Sequence, residues 1–219
     1  MTLRLIFDLD ETLIDSVPSL CAAANVMLGE LNRDPVTPQQ YKGFVGHGMR
    51  QQIIRALTAT GGVPDDDVTP YLDRMMEIYS ADPISGVTVF PNVINTLNDL
   101  SNSGHQMAVC TQKPADQART ILQRLQLMPP ITGLTGGETL SVLKPDPAML
   151  HHAAAQLSGD DPILMVGDRD VDAQTAANAG ARFVLFSPEG TQPDFHTHGL
   201  ISDWSQLPAL LTTLQAHAA

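Results

Sequence analysis

Positive charge is scarce in this sequence. Lysine and arginine together number 12 against 24 aspartates and glutamates, so the 219-residue chain has a formal net charge of -12, and its basic residues form no run longer than a pair. Because phosphate backbones and anionic lipids are bound by clustered positive charge, nucleic acid and membrane surfaces are not expected partners. A small phosphorylated metabolite is compatible with this charge, since one metal ion and one lysine can act locally against a distant acidic surface.

Long apolar runs and cysteines are scarce as well. The sequence has no apolar span of about 18 residues and reaches an acidic segment by residue 8, so we expect neither a membrane helix nor a signal peptide. Cys21 and Cys110 have no metal-binding spacing and are expected to be buried thiols. These absences predict a cytoplasmic protein, and 43% hydrophobic residues are enough for a full core.

Two acidic residues follow the first apolar run. Asp8 and Asp10 come directly after residues 3–7, which read as a short buried strand. Residues two apart on a strand share one face, so both carboxylates lean the same way at the edge where open α/β sheets bind ligands. Two like charges this close repel each other, and the repulsion is usually relieved by a divalent cation, a shared proton or a lysine. The alternative is a chance Asp-x-Asp that begins a solvated loop.

Strand and helix patterns alternate in the second half of the chain. Strands separated by single helices imply parallel crossover connections, so the sequence predicts a doubly wound α/β fold with a parallel sheet. The predicted strands are 3–8, 106–111, 131–136, 163–166 and 182–186, and the predicted helices are 115–127, 147–157, 171–179 and 205–217.

Residues 15–85 interrupt this pattern with helical periodicity alone. Helices are predicted at 17–33, 49–59 and 68–81, and Thr37 with Pro38 is typical of a further helix start. The predicted organisation is therefore an α/β core of residues 1–14 and 86–219 with an inserted all-helical domain at 15–85. Short linkers at 15–18 and 82–86 suggest that the insert opens and closes, although a rigid insert is the alternative. The pattern indicates no particular oligomeric state.

Two later segments bring polar groups to the same predicted edge. Thr111 ends the predicted strand 106–111 and can offer a hydroxyl to an oxyanion at the start of a helix. Its alternative role is an ordinary N-terminal cap. Lys144 is followed by a proline just before another helix and could supply positive charge near a phosphate, although a single lysine is more commonly exposed.

A third acidic segment ends the predicted strand 163–166. Gly167 permits a tight turn, Asp168 lies at the strand's carboxyl end, and Asp172 falls one helical turn further along. Asp168 is thus expected to meet Asp8 and Asp10 across the edge of the sheet. The alternative is that Asp168 or Asp170 caps the following helix.

The order and spacing of these four segments resemble the haloacid dehalogenase (HAD) superfamily of phosphotransferases over essentially the whole chain. The resemblance implies that Asp8 is the nucleophile and Asp10 the acid/base. It implies a Mg²⁺ cofactor bound by the side chains of Asp8 and Asp168 and the carbonyl of Asp10, with Asp172 supporting the metal's water shell and the phosphate-binding lysine. Thr111, Gln112 and Lys144 are implied as phosphate-binding residues.

The helical insert is similar in position to the C1 cap of that superfamily. Residues 44–50 resemble the Val-Gly-x-Gly substrate loop of phosphoglycolate-phosphatase-like members, which implies a substrate loop of Gly46, His47, Gly48 and Arg50. Four positions depart from the usual motifs without removing a catalytic group. Glu11 and Asn92 replace glycines, Gln112 replaces asparagine, and Arg169 replaces serine or threonine.

The resemblance implies a magnesium-dependent phosphomonoester hydrolase that acts on a small phosphorylated metabolite, with phosphoglycolate as the first expectation. A sugar phosphomutase uses the same catalytic carboxylates. A haloacid dehalogenase shares the nucleophile but has no use for magnesium or a second acid at Asp10. A binding or regulatory protein that has lost catalysis is the alternative from another class.

Overall fold

The computed structural model describes residues 2–45 and 48–216, and the chain divides into two compact units. The first unit comprises residues 1–14 and 89–219, and the second comprises residues 15–88. The second unit is thus inserted into the first shortly after the first strand.

The second unit is helical. Its helices are α1 (Val17–Glu30), α2 (Pro38–Lys42), α3 (Met49–Ala59) and α4 (Thr69–Ala81), with a short 3-10 helix at Pro64–Asp66. The expected helix start at residue 37 is confirmed, because the Thr37 hydroxyl accepts a hydrogen bond from the Gln40 backbone N–H at 3.2 Å. The unit has its own core, in which Met27, Tyr41 and Met75 are almost fully buried.

The first unit is built on a six-stranded sheet. The strands of the chain are β1 (Arg4–Phe7), β2 (Ile14–Asp15), β3 (Thr88–Val89), β4 (Gln106–Cys110), β5 (Ile131–Thr135), β6 (Ile163–Gly167), β7 (Arg182–Phe186) and β8 (Gly199–Ile201). The six strands of this sheet pair in parallel in the order β5-β4-β1-β6-β7-β8. A separate two-stranded sheet is formed by β2 and β3.

Helices flank this sheet, which confirms the predicted doubly wound α/β fold. They are α5 (Val93–Asn102), α6 (Ala115–Arg124), α7 (Pro147–Ala155), α8 (Asp170–Asn178) and α9 (Leu207–Ala216). The helices α7 and α8 pack on the sheet and against each other, while α5 packs against β4 and α9. Within the described residues, no helix is both long and apolar enough to cross a membrane.

Successive residues of the central strand point to opposite faces of the sheet. Ile6 belongs to the core cluster beneath α7 and α8, whereas the ring of Phe7 lies 5.6 Å from that of Trp204. All three side chains are fully buried. The buried rows on both faces fix the register of β1, and with it the positions of the residues that follow the strand.

Some elements differ from those predicted. The helix α5 and the strand β8 had not been predicted, and the last helix begins at Leu207 after a 3-10 turn at Trp204–Gln206 rather than at residue 205. The 3-10 turn arises because the Asp203 carboxylate accepts a hydrogen bond from the Ser205 N–H and holds the chain in a tighter turn.

Candidate active site

The carboxyl ends of three adjacent strands bring the predicted site segments together. Phe7 pairs with Val109 on one side and with Val166 on the other, so β4, β1 and β6 end side by side. The Asp8 N–H continues the ladder by donating to the Val166 carbonyl at 2.9 Å. The loops that follow these strands therefore start at one edge of the sheet, as the sequence predicts.

Three carboxylates cluster at this edge. One oxygen each from Asp8, Asp168 and Asp172 lies within 4.8 Å of the others. Three hard oxygen donors at this spacing suit a divalent cation such as Mg²⁺, so the cluster could hold a metal ion. The structure brings Asp8 and Asp168 together as expected and places Asp172 beside them. The Asp10 side chain is instead held by a different partner, Lys113.

Lys144 lies between two of these carboxylates. Its Nζ is 2.9 Å from Asp8 Oδ1 and 2.6 Å from Asp172 Oδ1, and only 2% of its side chain is exposed. Burial alone would lower the pKa of Lys144, but the charges of Asp172 and Asp8 raise it above its usual value. The Lys144 ammonium is therefore favoured in its charged form within the acidic cluster, and the exposed-lysine alternative is wrong.

Two carboxyl groups of this cluster have pKa values raised above their ordinary range. Burial raises the pKa of Asp8 to about 6, although Lys144 opposes the shift. Burial, with the neighbouring charges of Asp172 and Asp8, raises the pKa of Asp168 well above its usual value. A site that disfavours its own negative charge in this way gains by binding a cation.

Asp172 is fully buried at the start of α8. Its Oδ1 accepts from Lys144, and its Oδ2 accepts from the Arg169 N–H at 3.2 Å. Because Asp172 is fully buried, whereas the side chains of Asp8 and Asp168 are each 13% exposed, Asp172 is better placed to orient Lys144 than to bind a cation directly. The helix begins at Asp170 with Arg169 as the preceding residue, so neither Asp168 nor Asp170 is its N-cap.

Gly167 is required for a reason that the sequence did not reveal. A Cβ atom at this position would lie 2.5 Å from Asp172 Oδ2. The expectation of a glycine-dependent tight turn was wrong, because Gly167 does not have a positive φ and is the last residue of β6. Glycine instead allows the buried carboxylate to approach the strand backbone.

Asp168 is oriented by the loop that follows β1. Thr12 Oγ1 donates to Asp168 Oδ1 at 3.1 Å, and Arg169 Nε lies 3.3 Å from Asp168 Oδ2. The Thr12 carbonyl in turn accepts from Trp204 Nε1 at 3.2 Å, which ties this loop to the core. Thr12 was not among the predicted site residues, although it lies only two residues after the acidic pair.

Thr111 and Gln112 follow β4 in a tightly packed turn. Thr111 is 1% exposed, and its hydroxyl accepts from the Lys113 N–H at 3.1 Å. The following helix, α6, begins at Ala115, so Thr111 is not its N-cap. Gln112 Nε2 donates to the Lys144 carbonyl at 3.0 Å, which links the two loops that carry the predicted phosphate-binding residues.

A second buried lysine lies beside the acid pair. Lys113 Nζ is 2.9 Å from Asp10 Oδ1 and 3.2 Å from Oδ2, and its side chain is 3% exposed against 20% for Asp10. Lys113 was not among the predicted site residues. Its position in the same loop as Thr111, immediately after a strand that ends at the site, is the signal that could have found it.

Both residues that replace a glycine of the family motifs have left-handed backbone. Glu11 has φ of 60° and Asn92 has φ of 64°. This region favours glycine, and asparagine tolerates it better than glutamate does. The glycine usual at these positions is thus explained by backbone conformation, and Glu11 is the strained substitution.

The predicted substrate loop lies in the helical unit. Gly46 and His47 fall outside the described residues. Gly48 has φ of 82° and immediately precedes α3, and Arg50 is an exposed residue in the first turn of that helix. Hydrogen bonds from Thr69 lower the pKa of the Asp67 carboxyl. The charge of Arg50, in the same unit, contributes to this shift.

The chain is similar to known proteins of one family. The family model of haloacid dehalogenase-like hydrolases matches residues 5–186. A phosphoglycolate phosphatase of Cereibacter sphaeroides is 39% identical over 96% of this chain and 98% of its own length. Phosphoglycolate phosphatase of Caulobacter vibrioides is 32% identical over 95% of this chain and 90% of its own length.

Solved structures share the fold. A predicted phosphoglycolate phosphatase from Haemophilus somnus superposes with a TM-score of 0.83 at 23% identity, covering 96% of this chain and 98% of that one. CbbY from Rhodobacter sphaeroides, solved in complex with phosphate, has a TM-score of 0.77 at 18% identity, covering 97% of this chain and all of the other. Similarity at these identities concerns the architecture alone.

Proposed function

Because the chain belongs to the haloacid dehalogenase-like hydrolase family, we propose that it is a magnesium-dependent phosphatase of small phosphorylated metabolites, with phosphoglycolate as the first candidate substrate. The observation that carries the proposal is the buried cluster in which Lys144 bridges Asp8 and Asp172 beside Asp168. Relatives that are named phosphoglycolate phosphatases over nearly their whole length support the choice of substrate.

The acidic cluster supports a nucleophile and a set of cation ligands as part of this proposal. Asp8 and Asp168 would hold Mg²⁺ with their carboxylates, together with the Asp10 backbone carbonyl, and the bound ion would neutralise charge on the phosphoryl group. An Asp8 carboxylate oxygen attacks phosphorus in line with the leaving oxygen. The new O–P bond replaces the ester bond and gives an aspartyl-phosphate.

The remaining polar groups transfer protons and stabilise negative charge. Asp10 donates its proton to the departing alkoxide and then removes one from the water that hydrolyses the aspartyl-phosphate, which restores Asp8 and releases inorganic phosphate. Lys144 and the Thr111 hydroxyl stabilise negative charge on the transferring oxygens, since both are held in place before substrate arrives. Gln112 supports this by binding the backbone of the Lys144 loop.

We further propose that the helical unit acts as a C1 cap and that its Gly46–Arg50 segment takes part in substrate choice. Insertion of the unit shortly after β1 supports this role. The proposed location is the cytoplasm, because Cys21 and Cys110 are free buried thiols, as is usual in a reducing compartment. A net charge of -12 argues against nucleic acid and anionic membranes as partners.

A product assay tests the proposal. The purified chain is incubated with Mg²⁺ and a panel of phosphomonoesters that includes phosphoglycolate, p-nitrophenyl phosphate and a hexose phosphate. We expect inorganic phosphate to be released, to cease after EDTA dialysis and to return when Mg²⁺ is restored. An isomerised sugar phosphate without free phosphate would identify a mutase instead, and failure to turn over any member of the panel would overturn the proposal.

A further inference from the structure

Arg169 brings a further positive charge to the acidic cluster, and the mechanism above gives it no role. Its Nε lies 3.3 Å from Asp168 Oδ2, and 30% of its side chain is exposed, against 13% for the side chain of Asp168. The chain therefore places a cation beside a proposed metal ligand, at a position where the superfamily motif usually has an uncharged serine or threonine.

The backbone fixes the position of Arg169. This residue is extended, with φ of -132° and ψ of 163°, and it immediately precedes α8. Its N–H donates to Asp172 Oδ2 at 3.2 Å, and its carbonyl accepts from the Ala173 N–H at 3.2 Å. Because these contacts involve only main-chain atoms of Arg169, its side chain can be replaced while the start of the helix is kept.

Both oxygens of Asp168 have a neighbour. Thr12 Oγ1 donates to Oδ1 at 3.1 Å, and the Arg169 guanidinium lies beside Oδ2. Thr12 is neutral, but an arginine guanidinium remains charged at any working pH. A cation bound by this carboxylate would be separated from Arg169 by little more than the carboxylate itself, and like charges at such short range repel each other.

We propose that Arg169 competes with the divalent cation for Asp168 and thereby lowers the affinity of the site for Mg²⁺. The inference rests on the proposed magnesium-dependent function and adds a residue that regulates its metal site. An uncharged side chain at position 169 leaves the acidic cluster with one cation fewer, so a bound Mg²⁺ is held more strongly. The wild-type chain should therefore reach half of its maximal activity at a higher Mg²⁺ concentration than a variant without this charge.

Protons also compete for Asp168. Burial, with the charges of Asp172 and Asp8, raises the pKa of Asp168, and the charge of Arg169 opposes this shift. Removal of the guanidinium thus favours proton binding as well as Mg²⁺ binding. A divalent ion gains twice as much Coulomb energy as a proton at the same distance, so the net effect still favours Mg²⁺.

Calorimetric titration with Mg²⁺ alone tests this role in the purified chain, after dialysis against EDTA and removal of the chelator. The proteins are wild type, Arg169→Ser, Arg169→Gln and Arg169→Lys. Arg124→Gln, at the exposed last residue of α6, changes the net charge as Arg169→Gln does and is the matched control. Titration at about pH 8 limits competition from protons.

The dissociation constant for Mg²⁺ is the decisive quantity. We expect both neutral variants at position 169 to bind Mg²⁺ about 10-fold more tightly than wild type. Arg169→Lys keeps the charge and should stay within about threefold of wild type, and Arg124→Gln should bind as wild type does. Unchanged or weaker binding by both neutral variants would mean that Arg169 only orients Asp168 and would overturn the inference. Tightening by Arg169→Lys equal to that of the neutral variants would also overturn it, because charge would not be the cause.

Thermal unfolding supplies a second readout that does not depend on activity. The increase in the unfolding midpoint on adding Mg²⁺ should be larger for the neutral variants than for wild type, because a more tightly bound ligand stabilises the folded state more. The midpoint without Mg²⁺ shows whether each variant folds, and Arg169→Gln serves if the serine variant does not.

The titration, run beside the phosphate-release assay, separates this inference from the proposed function. If wild type binds Mg²⁺ and releases phosphate but the neutral variants bind no more tightly, the role of Arg169 is wrong and the phosphatase function stands. If the neutral variants bind more tightly but no phosphomonoester is hydrolysed, the role of Arg169 stands and the phosphatase function fails. If neither wild type nor any variant binds Mg²⁺, both proposals fail together.

Discussion

Lys144 and Lys113 are both buried at the carboxyl edge of the sheet, but they meet the carboxylates differently. Lys144 is 2.9 Å from Asp8 and 2.6 Å from a fully buried Asp172, next to Asp168. Lys113 pairs with both oxygens of one carboxylate, that of Asp10, which is 20% exposed. The site therefore has a closed half around Lys144 and a more open half around Lys113.

The difference separates two tasks. In the closed half, several buried anions share one cation, so each position depends on the others and little can change without leaving a buried charge unpaired. This suits chemistry on a phosphoryl group, which every substrate has in common. In the open half, Lys113 pairs with the partly exposed Asp10, which is the proposed acid/base for the leaving oxygen.

The largest expected effect comes from removing the lysine of the closed half. Lys144→Met leaves buried carboxylates without their cation and should lower the free energy of unfolding by about 3–5 kcal/mol in metal-free protein at neutral pH. Lys113→Met should cost about 1–2 kcal/mol, because solvent partly compensates Asp10. Urea unfolding measures both, with Lys42→Met as control. Equal losses from the two lysines would contradict the distinction between the halves.

A smaller effect concerns the pH dependence of metal binding. Because burial raises the pKa of Asp8 to about 6, the carboxyl group is largely protonated at pH 5 and must release its proton to bind a cation. We expect the affinity for Mg²⁺ to be at least about tenfold weaker at pH 5 than above pH 7. Calorimetric titration of the metal-free protein measures this.

The same titration compares the two halves of the site. Lys113 lies outside the closed half, so the affinity of Lys113→Met for Mg²⁺ should have the same pH dependence as that of wild type. An affinity for Mg²⁺ that does not change between pH 5 and pH 7 in wild type would argue against Asp8 as a ligand.

The smallest effect is expected in the loop that carries Asp10. Glu11 has a left-handed φ of 60°, so Glu11→Gly should raise the free energy of unfolding by about 0.5–1 kcal/mol. Asn92→Gly is the matched comparison. Asn92 has a similar φ, but asparagine tolerates the left-handed region better than glutamate does, so this substitution should give a smaller gain. Thermal unfolding of both variants measures these effects. If Glu11→Gly were neutral or destabilising, the backbone of Glu11 would not be strained.

Much of the fold could be predicted because the buried strands are short apolar runs that end in polar residues. The strand β8 could not, since its three residues show no periodicity of their own and are stabilised by pairing with β7. The helix α5 was missed although Val93, Leu97 and Leu100 have helical spacing and are buried. The spacing of these apolar residues does predict a helix.

The positions of Asp8, Asp168 and Lys144 at one edge followed from strand order. The contacts between individual side chains could not be predicted in this way, because separation along the sequence does not indicate which carboxylate a lysine will contact. Lys113 is the clearest example, since 103 residues separate it from Asp10. The close approach of Asp172 to Gly167 was likewise visible only in three dimensions.

The most direct test of the account is the rate of phosphate release by Asp8→Asn. The substitution keeps the size of the side chain and removes the nucleophilic carboxylate, so we expect kcat to fall by about 10⁴-fold or more while the thermal unfolding midpoint does not decrease. Asparagine also removes a buried charge, which should favour the metal-free fold. A folded Asp8→Asn protein that releases phosphate at a rate close to that of wild type would contradict the central claim.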